Sequence, residues 1–589
     1  MFGYFCLILQ EICTSAMKKT LLVLLAIVAM VPTWAQPEHS FSVAKNLDIF
    51  NTLYRQLDIF YVDTLEAEKV LRVGIDAMLE ELDPYTVYYP EENMSELKMM
   101  TTGKYGGIGS IIHMRKDSTV IISEPYPDMP AAEAGLQVGD VLLKIDDKDL
   151  KGLNTNEVSE MLRGEPGTTF VLRIQRPGEK KPRDFKMTRR SIKKAAIPYT
   201  GIIGDAGYIS LTEFTEGCAK DVRKAIITLK EKGAKSIILD LRFNGGGLLN
   251  EAVDIVNLFV PKDLKIVETK GKMLAANYAY TTHNEPLDLD IPLAILVDGN
   301  TASASEIVSG ALQDLDRAIV VGTETYGKGL VQSSRELPYN GSLKLTTAKY
   351  YIPSGRCIQR VDYKQLREDA EIYRNTGKRT EKRDSLKNIF HTAGGREVTE
   401  GSGIKPDVAV KHDSLTNIVF YPIAISSMGS YSTLSQHANI IFYLYNDDVL
   451  TDWGTKYFQK HPTLPAVKDF TITDADFEEF KQMVKDSGFK YDRVSEKRLK
   501  DLQESAKFEG YYDDAKAEFE ALEKKLTHNL DHELNRKQND IRKLMAIEVA
   551  KRYYYQAGMV EEAIKGDEDI SAAIRVLNTP NEYKQILGK

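Results

Sequence analysis

Pro292-Leu-Ala-Ile-Leu-Val-Asp-Gly-Asn-Thr-Ala-Ser303-Ala-Ser-Glu306-Ile307 is the stretch on which the fold prediction depends. The apolar run at its start predicts a buried strand, and apolar residues at three- and four-residue steps after Glu306 predict a helix. Ser303 therefore lies at a strand-to-helix junction, where unpaired backbone N–H groups and the helix dipole favour negative charge. Such a position suits a nucleophilic oxygen beside an oxyanion site. From this stretch alone, a capping box formed by Ser303 and Glu306 explains the residues better.

Similar apolar runs precede and follow this stretch. They are rich in Ile, Val and Leu and lie at 208–211, 236–241, 265–268 and 317–322, with helical periodicity between several of them. Continuous apolar strands that alternate with helices are typical of a layered α/β core with a buried sheet. We expect this core to span 191–410.

A serine nucleophile needs a base, and the sequence contains neither a G-x-S-x-G string nor an obviously matched histidine. Lys328 is the candidate, because it lies between Gly327 and Gly329 just after an apolar strand. Burial there would lower the pKa of the amine, so that its neutral form could accept a proton near pH 7. The string Gly322-x-x-x-x-Gly327-Lys also resembles a phosphate loop, but Gly329 replaces the Ser or Thr that such a loop needs.

The third candidate segment is Asp240-Leu-Arg-Phe-Asn-Gly-Gly-Gly247, an apolar strand that runs into three glycines. Glycines allow backbone amides to approach a substrate carbonyl, as an oxyanion site requires. A strand-to-helix turn with a phosphate-binding or merely tight loop is the alternative interpretation of this segment.

Taken together, these segments resemble the C-terminal processing peptidases, also called tail-specific proteases, which are Ser/Lys serine proteases with a PDZ domain. The matching strings are T-A-S-A-S-E-I at 301–307, G-K-G-x-x-Q at 327–332, D-L-R-x-N-x-G-G at 240–247, L-T-T-A-K-Y-Y-I-P-S-G-R at 345–356 and G-x-G-I-K-P-D at 401–407. The resemblance extends from about Asn46 to Val410.

The resemblance implies a role for each matching residue. Ser303 would attack the scissile carbonyl, and a neutral Lys328 would take its proton, held in line by Gln332 about one helical turn further on. The amides of Gly246 and Ala304 would form the oxyanion hole, with the exact glycine within 245–247 left open. Structural support would come from Glu306, Asp314 and Thr325. The resemblance implies no cofactor and no metal.

The β-rich segment 98–190 is expected to be the PDZ domain that this resemblance implies. A substrate carboxylate would bind at the glycine-rich loop formed by Gly106, Gly107, Ile108 and Gly109, whose backbone N–H groups face it. The peptide would add as a strand to the edge at 108–113, and pockets for alternate side chains would select apolar tails. A structural hairpin turn is the alternative interpretation of the loop.

The N-terminus has the pattern of a secretory signal peptide. Lys18-Lys19 precede the apolar run Leu21–Val31, and Ala35 ends the segment, so we expect cleavage after it. The run is shorter than the ~20 residues that span a bilayer, and an uncleaved anchor is the alternative. Met17 is a natural start for this signal, which would make 1–16 an upstream extension. We expect export to the periplasm or the outer face of the inner membrane.

The composition is that of an ordinary globular protein, with 43% hydrophobic and 28% charged residues among 589. A formal net charge of −8 argues against nucleic acid as the main partner. The four cysteines show no CxxC spacing, and no HExxH string is present, so no metal site is expected.

The predicted organisation is a signal peptide (1–35), an N-terminal helical region (36–97), the PDZ domain (98–190), the protease core (191–410) and a C-terminal, mainly helical region (411–589). The expected fold class is a crotonase/ClpP-like layered α/β core with the PDZ domain inserted. Partners would be protein substrates with free C-termini, an adaptor lipoprotein that delivers them, and a second copy of the chain bound through the terminal helical regions. Two alternatives stay open: a catalytically silent PDZ-type binding or chaperone protein, and a crotonase-like acyl-CoA enzyme.

Overall fold

The computed structural model describes residues 35–376, 388–411, 440–491, 493–526 and 529–589. The predicted signal peptide lies outside these residues except for Ala35. The chain divides into two compact units, 1–81 and 82–589. In the described ranges, no helix combines the length and the apolar character needed to cross a membrane.

In the described part of the first unit, residues 35–81, the chain forms the helices α1 (Ala35–Phe60) and α2 (Ala67–Glu80). The Tyr54 hydroxyl donates a hydrogen bond of 2.6 Å to the Ala67 carbonyl and so ties the two helices together. No residue of α2 is buried, and apolar side chains of α1 such as Phe41 and Leu47 are more than half exposed. Within residues 35–81, these two helices therefore form no packed core of their own.

The second unit begins with a segment that corrects the helical prediction for 36–97. It contains a strand, β1 (Val87–Tyr89), and a helix, α3 (Met94–Thr102). Pro84 and Pro90 bound the extended stretch, because proline lacks an N–H group and disfavours helix in the residue before it. β1 pairs with residues 342–344 of the core, so the segment belongs to the core sheet.

The β-rich segment forms a separate antiparallel sheet with two short helices. Its strands are β3 (Ser110–Met114), β4 (Val120–Pro125), β5 (Val141–Ile145), β6 (Lys148–Asp149), β7 (Thr169–Gln175) and β8 (Arg183–Thr188), and its helices are α4 (Pro130–Glu133) and α5 (Thr155–Leu162). Along β7 buried and exposed residues alternate, so one face of the sheet covers an apolar core. The flanking strands β2 (Lys104–Gly107) and β9 (Arg190–Lys193) pair antiparallel, so the chain enters and leaves this domain side by side.

A six-stranded sheet forms the centre of the core. Its order is β10 (Tyr199–Ile203), β11 (Ala206–Ser210), β12 (Ser236–Asp240), β15 (Leu293–Val297), β16 (Ile319–Gly322) and β21 (Val408–Ala409). β10 runs antiparallel to β11, and the other neighbours are parallel. Every residue of β12, β15 and β16 is buried, as expected for a sheet that is covered on both faces.

Different parts of the chain cover the two faces of this sheet. Helices α6 (Cys218–Glu231), α7 (Leu249–Asn257) and α8 (Ala304–Asp314) cover one face. On the other face Ile238 and Leu296 pack in one apolar cluster with Trp453 and Phe480 of the C-terminal region. The C-terminal helices are α10 (Ile440–Asn446), α11 (Val449–Lys460), α12 (Asp474–Asp486), α13 (Val494–Glu509), α14 (Lys516–Leu526), α15 (Leu530–Arg536), α16 (Gln538–Ala563), α17 (Glu568–Leu577) and α18 (Pro580–Ile586).

A second, antiparallel sheet stands beside the central one. It is built from β13 (Lys265–Gly271), β14 (Tyr278–Thr281), β17 (Leu330–Glu336) and β18 (Ser342–Tyr351), together with β1. The remaining described α-helix is α9 (Tyr363–Thr376), and β19 (Ile389–His391) and β20 (Glu397–Thr399) form a small hairpin. Short 3-10 helices lie at Glu91–Asn93, Leu274–Ala276 and Val467–Asp469. The hairpin of β17 and β18 borders the cavity described below.

Leu296→Ala tests whether the C-terminal region and the central sheet share one core. Leu296 is fully buried against the C-terminal helices, so the truncation should lower the free energy of unfolding by about 2–5 kcal/mol in one cooperative denaturant transition. Leu274→Ala is the matched control, because Leu274 is 87% exposed and should change stability by less than about 0.5 kcal/mol. Trp453 lies in the same apolar cluster as Leu296, so an unfolding transition followed by Trp453 fluorescence that Leu296→Ala leaves unshifted would contradict the shared core.

Candidate active site

Ser303 lies at the sharp turn between β15 and α8. Its backbone has φ +58° and ψ −115°, a conformation that residues with a side chain rarely adopt and that surrounding contacts must hold. The Asp298 carboxylate accepts hydrogen bonds of 3.0 Å from the N–H groups of Asn300 and Thr301. The Thr301 hydroxyl donates to the Leu241 carbonyl at 2.9 Å. The turn therefore presents Ser303 without the flanking glycines of a G-x-S-x-G string.

The Glu306 carboxylate connects the serine turn with the lysine loop. It accepts hydrogen bonds from Ser303 N (2.8 Å), Thr325 Oγ1 (2.5 Å), Gly327 N (2.7 Å) and Lys328 N (2.9 Å). The side chain is fully buried, and this burial raises the pKa of Glu306 while the four donors oppose the rise. Glu306 thus accepts from the backbone of the residue at the helix start, as the capping interpretation requires, and also fixes the segment around Lys328.

The Lys328 side chain lies in an environment that disfavours its charge. Burial, and to a lesser degree the neighbouring Lys344 ammonium, lower the pKa of Lys328 to about 8. Its Nζ atom lies 4.3 Å from the centroid of the Tyr85 ring. The Tyr85 hydroxyl is within hydrogen-bond distance of the hydroxyls of Tyr326 (3.2 Å) and Tyr363 (3.3 Å). At neutral pH a useful fraction of this amine is therefore unprotonated.

One cavity brings the predicted catalytic residues together. Ser303, Ala304, Lys328 and Gln332 line it with the glycine loop 245–247, and its volume is about 480 Å³. Within the described residues, the Ser303 hydroxyl and the Lys328 amine form no hydrogen bond with each other. Gln332 Nε2 instead donates to Thr346 Oγ1 at 3.1 Å. The helical spacing expected for Gln332 was wrong, because this residue lies on β17 and pairs with β18.

The glycine loop packs directly against the serine turn. Gly246 has φ +98°, and a Cβ atom there would lie 2.7–2.8 Å from Ala302 O, Ala304 N and Ser303 Cβ, so no other residue fits. The Gly246 N–H, a predicted oxyanion donor, donates to Asn244 Oδ1 at 2.9 Å. The N–H groups of Gly245 and Ala304 make no hydrogen bond to any described residue, and both residues line the cavity. The glycine donor is thus better matched by Gly245 than by Gly246 in this conformation.

The two other predicted support residues also make buried contacts. Asp314, at the end of α8, accepts a hydrogen bond of 2.8 Å from the Arg356 guanidinium. Thr325 accepts from Ile404 N at 2.6 Å while it donates to Glu306. Asp314 therefore anchors α8 at the end opposite Ser303, and Thr325 completes the coordination of Glu306.

The PDZ loop is only partly arranged as predicted. Gly107, Ile108 and Gly109 line a small groove of about 40 Å³ between β3 and α5. Gly106 does not line this groove. It lies within β2, and its carbonyl accepts a hydrogen bond from Gly164 N at 3.2 Å. A Cβ atom at Gly106 would lie 2.0 Å from the Gly164 carbonyl oxygen, which explains the glycine without a ligand.

Arg163 connects this groove with the catalytic cavity. Its side chain lines the groove, and the guanidinium lies 5.3 Å from the centroid of the Tyr105 ring. Its Nη2 atom also contacts Met99 Sδ at 3.7 Å, and Met99 lines the catalytic cavity. Sequence reasoning missed Arg163, Tyr85 and Lys344, because each reaches the site only through pairing of distant segments and belongs to none of the quoted strings.

Comparison with known proteins identifies related families and proteins. A family model described as peptidase family S41 matches 205–372, a PDZ domain model matches 121–176, and a model of the C-terminal helical domain of probable PDZ-proteases matches 440–577. A carboxy-terminal-processing protease of Bartonella bacilliformis is 39% identical over 319 residues, which are 54% of this chain and 73% of that protein. A probable CtpA-like serine protease of Staphylococcus aureus is 34% identical over 317 residues, which are 53% of this chain and 62% of that protein.

Among the solved structures similar to this chain is the photosystem II D1 C-terminal processing protease, with 24% sequence identity and a TM-score of 0.32. The match covers 62% of this chain and 92% of that one. The domains and the matching models define a serine peptidase with a PDZ domain and a C-terminal helical domain. The chain belongs to the carboxy-terminal-processing protease family, which confirms the resemblance drawn from its motifs and the assignment as a hydrolase. The likeness of its core to crotonase and ClpP folds stays a prediction.

Glu306→Gln tests the link between the serine turn and the lysine loop. Each carboxylate oxygen of Glu306 accepts two of the four hydrogen bonds. In the variant an amide NH₂ group replaces one of these oxygens and cannot accept, so at least two of the four hydrogen bonds are lost. We expect a lower melting temperature and a loss of peptidase activity of at least about tenfold.

Glu251→Gln is the matched control for this variant. Glu251 accepts from Gly217 N and Ala219 N at the start of α6 and does not contact the serine turn. The Glu251→Gln variant should have a lower melting temperature but keep the peptidase activity that Glu306→Gln loses. Equal activity losses in the two variants would contradict the role given to Glu306.

Proposed function

We propose that this chain is an exported endopeptidase that binds free, apolar C-terminal tails through its PDZ domain and cleaves a peptide bond near the tail by a Ser/Lys acyl-enzyme mechanism. One observation carries the proposal: Ser303 and Lys328 line the same cavity, and Glu306 binds the backbone amides of both.

In this mechanism Ser303 Oγ attacks the scissile carbonyl carbon while the neutral Lys328 amine takes the hydroxyl proton. The amides of Ala304 and of one glycine in 245–247 stabilise the oxyanion of the tetrahedral intermediate. The C–N bond then breaks, and the Lys328 ammonium gives its proton to the leaving amine. Water repeats the sequence on the ester, with Lys328 again as base, and releases Ser303. Gln332 orients the lysine amine during these steps.

Tail recognition is supported by the placement of the PDZ groove. The residues of the glycine-rich loop that line it, Gly107 to Gly109, would bind the terminal carboxylate through their backbone amides. Arg163 of the same groove touches Met99 of the catalytic cavity, so a peptide in the groove would lie beside a residue that contacts the active-site wall. Export is supported by the signal pattern at 1–35. The exposed apolar side chains of α1 support a homo-oligomer, and the adaptor lipoprotein stays a prediction.

Ser303→Ala and Lys328→Ala test the proposed chemistry. The first variant removes the hydroxyl that attacks the carbonyl carbon, and the second removes the amine that takes its proton. Cleavage of a peptide with a free, apolar C-terminus should therefore fall by at least about a thousandfold in each. The same peptide with an amidated C-terminus should be cleaved more slowly by the wild-type protein, with the difference in KM, because the groove then loses its carboxylate.

Ser505→Ala serves as the control, since Ser505 is exposed on α13 and, among the described residues, its hydroxyl bonds only to the Asp501 carbonyl. Undiminished processing by Ser303→Ala would instead support a binding or chaperone role with no catalysis by this serine. Saturable binding of coenzyme A, combined with no peptidase activity, would support the acyl-CoA alternative.

The pH dependence of kcat/KM reports on the base. Lys328 must be neutral to act, so activity should fall as the pH drops through about 8, the lowered pKa of Lys328. Lys344→Gln removes a neighbouring cation, which raises the pKa of Lys328 and moves the midpoint to higher pH. Each unit of that movement lowers the activity at pH 7 about tenfold. Lys349→Gln, an exposed lysine on the same strand, should leave the midpoint in place. An unchanged midpoint in Lys344→Gln would contradict this assignment.

A further inference from the structure

A buried charge cluster joins the C-terminal helical domain to the peptidase core. Arg242 follows β12 and donates to Asp240 through Nη2 (2.6 Å) and Nε (3.0 Å). Its Nη1 atom donates to Asp567 (2.9 Å) and Asp569 (2.8 Å) at the start of α17. At most 5% of any of these four side chains is exposed. These contacts therefore bind two domains through charge-assisted hydrogen bonds in a dry environment.

The carboxylates from the helical domain are themselves rigidly placed. Asp567 Oδ1 accepts from Ile570 N at 2.9 Å and caps α17. Helix α17 packs on the face of the central sheet that the C-terminal helices cover, in the same apolar cluster as Leu296. Asp567 and Asp569 thus present a fixed acceptor surface to Arg242, rather than following it as mobile surface residues would.

Arg242 is also connected to the glycine loop 245–247 by only two residues, Phe243 and Asn244. Phe243, next in the chain, has φ +58° and donates to the Asp298 carboxylate at 3.0 Å. The Asn244 carbonyl accepts from Ala302 N (3.0 Å) and Ser305 Oγ (2.9 Å). A loop that starts with a left-handed, non-glycine residue stays in place only while the contacts on both sides hold it.

We propose that Asp567 and Asp569 are positioning residues of the peptidase: through Arg242 they hold the glycine loop 245–247 against Ser303. This inference rests on the proposed function, in which that loop supplies an oxyanion donor. It assigns the C-terminal helical domain a part in catalysis beyond covering the sheet.

Because the cluster contains more carboxylates than guanidinium groups, one carboxylate can be neutralised without leaving Arg242 unpaired. Three carboxylates surround one guanidinium, so Asp569→Asn leaves Arg242 paired with Asp240 and Asp567 and leaves the α17 cap intact. The variant keeps the shape of the side chain and removes one charge-assisted contact. We therefore expect it to fold, with a looser hold on the start of the loop.

The experiment measures transition-state and ground-state binding separately in the full chain. A peptide aldehyde forms a hemiacetal with Ser303 whose oxygen occupies the oxyanion site, whereas the matching peptide alcohol binds without it. In Asp569→Asn we expect kcat and the aldehyde affinity to fall by a similar factor, about tenfold. KM and the affinity for the alcohol should stay within about twofold.

Glu548→Gln is the matched control. It weakens another buried ion pair of the helical domain, in which Glu548 Oε2 lies 2.7 Å from Arg552 Nη1, but does not touch the loop. It should lower the melting temperature and leave kcat and aldehyde affinity unchanged. Equal aldehyde affinity in Asp569→Asn and wild type, or the same loss in both variants, would overturn the inference. An active Ser303→Ala variant, or a wild-type protein that binds aldehyde and alcohol equally, would instead overturn the proposed function.

Discussion

The buried carboxylate of Glu306 is the constraint on which the site depends. Its two oxygens accept four hydrogen bonds from the serine turn and from the lysine loop, two segments that approach each other only in the folded chain. A buried carboxylate without such partners would be strongly unfavourable, so the conformations of both segments are coupled to its burial. The backbones therefore position Ser303 and Lys328, the proposed nucleophile and base, before any substrate arrives.

The same principle extends outward to the C-terminal helical domain. The central sheet is apolar on both faces, and the helices that follow residue 440 cover one of them. Arg242 could not be buried at the end of β12 without nearby carboxylates, and this domain supplies two of the three. Apolar packing thus brings α17 to the sheet, and the ionic contacts then fix how the glycine loop starts.

Local sequence signals predicted much of this arrangement. The strand-to-helix junction at Ser303, the glycine-flanked Lys328 and the glycine run after Asp240 each follow from short-range patterns, and the family motifs placed them in one site. Contacts between distant segments could not be predicted in this way. Tyr85 reaches Lys328 because β1 pairs with β18, and Asp569 reaches Arg242 across more than 300 residues of chain. Gln332 was assigned to the wrong element because pairing with β18, rather than local periodicity, determines its conformation.

Two reactive groups of the site have local partners that differ from their proposed catalytic ones. Lys328 faces the Tyr85 ring, and the Gly246 N–H donates to Asn244. A cation–aromatic contact contributes about 0.5–2 kcal/mol, and a neutral hydrogen bond about 0.5–1.5 kcal/mol. The lysine stem is flexible and can rotate without moving the backbone, whereas moving either backbone segment would break the contacts of Glu306. In the proposed mechanism a peptide that fills the cavity thus has to redirect the Lys328 side chain, and also that of Asn244 where Gly246 is the oxyanion donor, while the backbone of the serine turn and the lysine loop stays in place.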